Sequence, residues 1–533
     1  MPPSTASLVP ASARPSRPES AARTDANSVI RSLADATSPE LGAIARGLTE
    51  NARAVRVSIA RGWFLFAIGS LVLAGLLSLL LVVGRLPFLG AVFTDPLFFK
   101  RALVVHVDLA LVVWFQAGTL AFLALALGDR LPRRVVGLAF ALCGAGIVGL
   151  LAGALMPGAQ PILSNYVPVI DHPVFLTGLA AWFAGAGIFF ATALAAPAPR
   201  RSALPDDALV ALRVAALGNL IALATFVAAW RTTLPGLPAI GYYELLMWGG
   251  GHALQAANVA AMLGLWLALL HRWSGASVLS PAASRWLLTA LVLPHASLPF
   301  VALLGTSNGA YTEIATALMR WTIFPVLLIV LGLGVRHVAQ RWNSLTPTRS
   351  SLPHASENSE RVKVNALHLE PSRLDRRLVG LAGSATLAVL GLVLGAFIRG
   401  SNTLVPGHYH AAIGAVTLAL MTAAYDLVDA VSPRAPFALA ADLARRGRAQ
   451  LLTFGVGQAT FALGFAIAGV HGLGRKQYGV EQHVRSLGEY VGLGVMGLGG
   501  ILAVAGGLLF LAVMLRAVGS WRRGAIATAP SHP

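Results

Sequence analysis

Two histidines separated by a single residue begin a long apolar segment, in the stretch Gly407-His408-Tyr409-His410. On an α-helix, which turns about 100° per residue, His408 and His410 point about 200° apart. They therefore cannot bind one ion together, but each can bind a planar cofactor on its own side of the helix. Because heme iron takes axial imidazole ligands, this spacing indicates a helix that lies between two hemes. A histidine from another helix, such as His106, would complete the coordination of one heme iron.

Two further histidines, His252 and His295, also lie within long apolar segments. Ionisable side chains inside a membrane are costly, so these histidines are candidates for function. If the N-terminus is inside the cell, His106, His408 and His410 lie near the outer ends of their segments, and His252 and His295 lie about midway. All five are then expected between the outer face and the midplane. The alternative for any one of them is a hydrogen bond between packed helices.

The composition is that of a polytopic membrane protein. Of 533 residues, 56% are hydrophobic and only 12% are charged, and the mean hydropathy is +0.71. Soluble domains carry about 25% charged residues, so a soluble enzyme, a disordered chain and a fibrous protein are excluded. The single cysteine excludes a disulfide framework, a CxxC zinc site and a covalently attached c-type heme. Apolar runs long enough to span a membrane are predicted at 63–84, 103–127, 135–156, 173–197, 208–230, 242–270, 286–305, 312–335, 378–398, 407–430, 449–471 and 488–515.

The distribution of Lys and Arg predicts the topology. Most of the 40 basic residues fall in segments that lie inside the cell if both termini are cytoplasmic, as expected for a protein of a bacterial-type inner membrane. The formal charge of +18 is then explained by cytoplasmic loops and does not indicate a nucleic-acid partner. We predict an all-α protein with a partly disordered cytoplasmic tail at 1–61, a twelve-helix membrane domain at 62–518 with a basic inner linker at 337–376, and a cytoplasmic C-terminal tail at 519–533.

Taken together, these features resemble the catalytic subunit of the heme–copper oxidase superfamily, which includes cytochrome oxidase subunit I and the large subunit of nitric oxide reductases. The resemblance is carried by twelve spans, a histidine near the outer end of span two and the His-x-His of span ten. It implies that His106 and His410 hold a low-spin heme and that His408 holds a high-spin heme. Gly472-Leu473-Gly474-Arg475-Lys476-Gln477-Tyr478 is similar to a stretch of the family whose two cations, here Arg475 and Lys476, bind heme propionates.

The resemblance also implies a second metal, copper or non-heme iron, opposite the high-spin heme. In the family its ligands are one histidine of span six and an adjacent pair in span seven. Here His252 matches the first, but span seven reads Pro294-His295, so only His295 of the pair remains. His408, His252 and His295 would then form the catalytic site. A third donor is needed, and the candidates for it are Glu244, Gln255, Asn258, Tyr311 and Glu313.

This chain departs from the family in two more respects. Oxygen reductases of the common kind carry a tyrosine four residues after the span-six histidine, and nitric oxide reductases tend to carry a glutamate there, but position 256 is alanine. No lysine lies within 312–335, where the family has a proton path, which leaves proton pumping open. The chain therefore resembles a diverged branch of the superfamily.

The expected function is that of a respiratory oxidoreductase, similar to cytochrome c oxidase, which passes electrons from a low-spin heme to a high-spin heme and second-metal site and reduces dioxygen in aerobic respiration. Nitric oxide is the alternative acceptor. The electron donor would be a cytochrome c or a cytochrome or cupredoxin partner subunit, and membrane lipid surrounds the chain. Two other functions stay open: a heme subunit for electron transfer or sensing that has lost the second metal, and a transporter in which buried histidines relay protons.

Overall fold

Twelve long helices make up most of the part of the chain that the structure describes. The computed structural model describes residues 39–83, 97–199, 202–344, 375–432, 437–475 and 484–526. The helices are α1 (Pro39–Val83), α2 (Phe98–Arg130), α3 (Arg133–Ala154), α4 (Pro173–Ala195), α5 (Asp206–Thr232), α6 (Ala239–Ser274), α7 (Pro281–Leu303), α8 (Gly309–Leu318 continuing through Phe324–Ser344), α9 (Arg376–Ala396), α10 (Leu404–Val431), α11 (Phe437–Val470) and α12 (Leu487–Ile526).

Within the described residues, each of the twelve helices contains a stretch that is long and apolar enough to cross a membrane. The predicted all-α, twelve-span fold is therefore confirmed, and the protein is a multi-pass membrane protein. Which side of the membrane holds the termini stays a prediction. The linker predicted at 337–376 has residues 345–374 outside the described part of the chain, and α8 continues into its beginning.

Two compact units make up the chain, Met1–Val55 and Arg56–Pro533. The described part of the first unit is the beginning of α1, which starts at Pro39. Residues 39–61 of the predicted tail are thus helical and continuous in sequence with the first span. The second unit contains the remaining helices and all the candidate site residues that the structure describes.

The helices that carry most of the candidate histidines are also those most enclosed by protein. In α2 and α10, 89% of the most apolar 18-residue window is buried, and in α6 the share is 78%, against 28% to 56% in the other helices. Helix α10 packs against α2, α6, α9 and α11. Because most of its surface is covered by protein, α10 can present side chains to two separate interior sites.

Three of the helices depart from regular α geometry near candidate residues. Asp108–Val113 of α2 and Met319–Ile323 of α8 are π-helical, and Leu293–Ser297 of α7 is a 3₁₀ turn that contains Pro294. Proline removes a backbone N–H donor and displaces the carbonyl of the preceding turn, which accounts for the break in α7. Such breaks are common at functional sites.

The hairpin between α3 and α4 is the one β structure of the described residues that has paired strands. Strand β1 (Gln160–Ile162) pairs antiparallel with β2 (Val169–Asp171). Six residues connect the two strands, and both strands pack against α2. The hairpin therefore places its connecting residues beside the helix bundle.

At the opposite end of α10 from its histidines, a buried carboxylate joins two helices. Asp426 accepts hydrogen bonds from Arg376 at 2.9 Å and from Arg377 at 2.8 Å, both at the beginning of α9. The Asp426 side chain is 7% exposed, whereas Asp429, the second partner of Arg376, is 40% exposed. The buried ion pairs fix the position of α9 along α10.

Candidate functional site

His408 and His410 extend from α10 towards two different neighbouring helices. Nδ1 of His408 lies 2.7 Å from the carbonyl oxygen of Gly391 in α9. The ring of His410 instead packs on two rings of α11, parallel to Phe465 at 5.4 Å and edge-on to Phe461 at 4.8 Å. The two imidazoles therefore face different sides of α10, as the spacing predicted.

His106 of α2 has the same arrangement as His408. Its Nδ1 lies 2.8 Å from the carbonyl oxygen of Ala74 in α1, and its ring is close enough to that of His410 for the two to interact electrostatically. A histidine that binds a metal through one ring nitrogen usually donates the other N–H to a carbonyl or carboxylate, which fixes the tautomer and the orientation of the ring. His106 and His408 both leave Nε2 available for an axial ligand bond.

Arg475 lies beside the N-terminal end of α10. The residues that follow α11 pair with those that precede α10, through the Asn402–Gly474 bridge and a hydrogen bond from the Arg475 backbone N–H to the carbonyl of Ser401, at 3.5 Å. Nε of Arg475 is buried and has no hydrogen-bond partner. An unpaired guanidinium N–H suits a carboxylate such as a propionate. Lys476, the second predicted cation, lies outside the described residues.

His252 lies on the face of α6 that is covered by the hairpin. Its Nδ1 is 2.8 Å from the carbonyl oxygen of Trp248, one turn earlier, and its Nε2 is 2.9 Å from the hydroxyl of Tyr166. Burial raises the pKa of the Tyr166 phenol; the negative charge of Glu244 raises it further, and the positive charge of Arg475 opposes these effects. The phenol therefore keeps its proton unless a metal cation binds beside it.

His295 lies in the 3₁₀ turn of α7 and is 0% exposed. The carbonyls of Leu291 and Val292 are near its ring, but neither ring nitrogen forms a hydrogen bond of normal geometry. Its ring is close enough to His252 to interact electrostatically. A buried imidazole without partners costs free energy, so an unpaired donor and acceptor at this position suit a ligand.

Three of the candidates for the third ligand of the second metal differ in their hydrogen bonds. Both carboxylate oxygens of Glu244 accept hydrogen bonds from Asn165. The hydroxyl of Tyr311 accepts the backbone N–H of Gly249 at 2.9 Å. Oε1 of Gln255 is buried without a hydrogen-bond partner. Among the described residues, no group of three or more His, Cys, Asp or Glu side chains is arranged to hold a metal ion.

Two side chains near the candidate histidines were not predicted from the sequence. Tyr166 lies in a connection between strands, and only the folded hairpin brings it to His252. Asp108 lies in the π-helical part of α2, two residues after His106, and both of its carboxylate oxygens are buried without hydrogen-bond partners. An acidic residue inside a predicted span was a sufficient signal for Asp108, whereas no sequence spacing indicates Tyr166.

A solved protein structure has a fold similar to that of this chain. The structure superimposes on a heme-copper terminal oxidase, solved as a dimer by cryo-electron microscopy, with a TM-score of 0.63. The match covers 90% of this chain and 85% of the oxidase chain. In fold, the chain resembles a terminal oxidase. At 15% sequence identity, this likeness extends to the fold alone.

Two curated proteins are similar in sequence along most of the chain. An uncharacterized protein of Rickettsia prowazekii (strain Madrid E) is 25% identical over 509 residues, which are 85% of this chain and 94% of that protein. An uncharacterized protein of Aquifex aeolicus (strain VF5) is 28% identical over 361 residues, 67% of this chain and 82% of that protein. No protein-family model matches the chain.

Proposed function

We propose that this protein is a respiratory membrane oxidoreductase that binds two hemes on opposite sides of α10 and reduces dioxygen. One observation carries the proposal: His408 and His410 are two residues apart, yet one is fixed by a carbonyl of α9 and the other packs against α11 beside His106. A single short stretch of helix thereby serves two separate interior sites. The oxidase fold of the structural neighbour supports the same conclusion.

In this proposal His106 and His410 are the axial ligands of a low-spin heme. The hydrogen bond from Nδ1–H of His106 to the Ala74 carbonyl holds its ring in the tautomer whose Nε2 can bind iron. Phe461 and Phe465 exclude water from one side of His410. The unpaired Nε of Arg475, with Lys476 next to it in sequence, would bind the propionates and favour the reduced heme.

His408 would be the axial ligand of the high-spin heme, held by the Gly391 carbonyl in the same way. The hemes, when bound, supply one-electron transfer and a site for gas reduction. The protein residues orient the imidazoles and exclude water. His252 and His295 interact electrostatically and would hold the second metal of the gas-reducing site. Electrons would come from a cytochrome c or from a cytochrome or cupredoxin subunit.

The test is purification from membranes, followed by heme extraction, metal analysis and reduced-minus-oxidised spectra. We expect two hemes per chain, one of them low-spin, and consumption of dioxygen with a reduced cytochrome c as donor. His408→Ala should abolish turnover and leave the low-spin spectrum intact. A preparation with no heme would refute the proposal. Turnover of nitric oxide without turnover of dioxygen would identify the other acceptor, and two hemes with neither activity would indicate electron transfer alone.

A further inference from the structure

Tyr166 is held in a strained conformation at the tip of the β1–β2 hairpin. Its φ angle is 68°, which makes it the one non-glycine residue with positive φ among the described residues. A left-handed conformation is unfavourable for a non-glycine residue and persists only where the surroundings impose it. Here the preceding residue, Asn165, donates hydrogen bonds from its backbone and its side chain to Glu244 of α6. The hairpin is thereby fixed to the helix that carries His252.

The surface of α6 is shaped to accept the Tyr166 ring. A Cβ atom on Gly251 would collide with that ring, so the absence of a side chain at this position lets the ring lie directly on the helix backbone. The ring also packs edge-on against Trp248, with centroids 5.8 Å apart, and lies 4.7 Å from the His252 ring. These contacts leave the phenol hydroxyl directed at Nε2 of His252, at 2.9 Å.

The distance between these two atoms also suits two ligands of one ion. Two donors at about 2.0–2.1 Å from a metal, separated by 90° to 109°, lie about 2.8–3.4 Å apart. Nδ1 of His252 is already occupied by the Trp248 carbonyl, which is the usual arrangement for the outer nitrogen of a metal-bound histidine. His295 interacts electrostatically with His252 and is buried with no hydrogen bond of normal geometry at either ring nitrogen, which is an independent sign of a missing ligand in this region.

We infer that Tyr166 is a metal ligand, which with His252 and His295 forms a donor set of one phenolate oxygen and two imidazoles for a copper or iron ion. This inference rests on the proposed function and identifies the third donor at its second metal position. Imidazole suits both metals, and phenolate is an anionic oxygen donor that stabilises their oxidised forms. Binding of the ion displaces the phenol proton, which leaves to solvent.

The other oxygen donors fit this position less well. Glu244 is engaged by Asn165, and the Tyr311 hydroxyl is engaged by the backbone of Gly249. Gln255 has an unpaired, buried Oε1 but lies almost one turn beyond His252 and offers a neutral amide. Gln255 is therefore the alternative third donor. Substitution of Tyr311 is the matched control for substitution of Tyr166.

The experiment compares three variants with the wild-type protein: Tyr166→Phe, Tyr311→Phe and Gln255→Leu. Copper and iron are measured against extracted heme, so that metal beyond the heme iron is counted separately. We expect one such ion per two hemes in the wild type, a loss of about tenfold or more in its affinity in Tyr166→Phe, and full content in the other two variants. The oxidised wild type should also show a phenolate-to-metal charge-transfer absorption with resonance-enhanced tyrosine vibrations, absent from Tyr166→Phe.

The outcomes separate this inference from the proposed function. If both hemes are bound but the wild type holds no second metal, or if Tyr166→Phe retains it, Tyr166 is not a ligand and the two-heme function stands. Loss of the metal in Gln255→Leu, and not in Tyr166→Phe, assigns the third donor to Gln255 instead. If Tyr166→Phe does not fold, the resonance Raman spectrum of the wild type decides: no tyrosine modes overturn the inference. Absence of heme refutes the proposed function itself.

Discussion

If His408 binds a heme as proposed, its contact with α9 allows a substitution that weakens the binding of that heme without removing its ligand. A Cβ atom on Gly395 would lie 2.7 Å from Nδ1 of His408, whereas ordinary contacts begin at 3.4 Å. In Gly395→Ala the ring must therefore move by roughly 0.7 Å, the difference between these two values. A shift of that size away from the Gly391 carbonyl would stretch the 2.7 Å hydrogen bond past the usual limit of about 3.2 Å and weaken it. Loss of such an outer partner typically lowers metal affinity by about 10–100-fold, or about 1.4–2.7 kcal/mol.

The assay measures transfer of heme from the purified protein to an excess of apomyoglobin. In Gly395→Ala the equilibrium constant for transfer of the His408 heme to apomyoglobin should be about 10–100 times larger than in the wild type. The spectrum of the low-spin heme should be unchanged. Gly383→Ala is the matched control on the same helix, because its Cβ would also meet an atom at 2.7 Å, but that atom is the tip of the Leu418 side chain. Equal heme retention in the two variants, or equal loss, would refute the reasoning.

Three more outcomes are expected. His106→Ala and His410→Ala should each abolish the low-spin heme signal and leave a single high-spin heme, as seen in reduced-minus-oxidised spectra; an unchanged spectrum in both would refute the ligand assignment. Arg475→Gln should lower the midpoint potential of the low-spin heme in a redox titration, since a nearby positive charge favours the reduced form; an unchanged potential would argue against propionate contact. Asp426→Asn should destabilise the protein by about 3 kcal/mol, because it removes the buried carboxylate shared by Arg376 and Arg377 and leaves them only the more exposed partners Asp429 and Asp375. Asp429→Asn, at an exposed ion pair, should cost about 1 kcal/mol or less; equal thermal shifts in detergent would contradict this difference.

The twelve-span fold could be predicted from the sequence because each span is a local property. About 20 consecutive apolar residues suffice to indicate one membrane helix, and no knowledge of its neighbours is required. The opposite directions of His408 and His410 are local in the same sense, since the helical repeat alone sets the angle between them. The predictions for these features therefore needed no tertiary information.

The partners of the histidines could not be predicted, because they come from parts of the chain that are distant in sequence. The carbonyls that orient His106 and His408 belong to α1 and α9, and backbone carbonyls are present at every residue, so no side-chain pattern marks the relevant ones. Tyr166 is the extreme case. It lies 86 positions before His252, in a short hairpin, and reaches the histidine only because α6 presents a glycine surface and Glu244 binds the hairpin. The sequence by itself determined which residue types were available and on which helices, whereas the packing of helices and hairpin decided which of them meet.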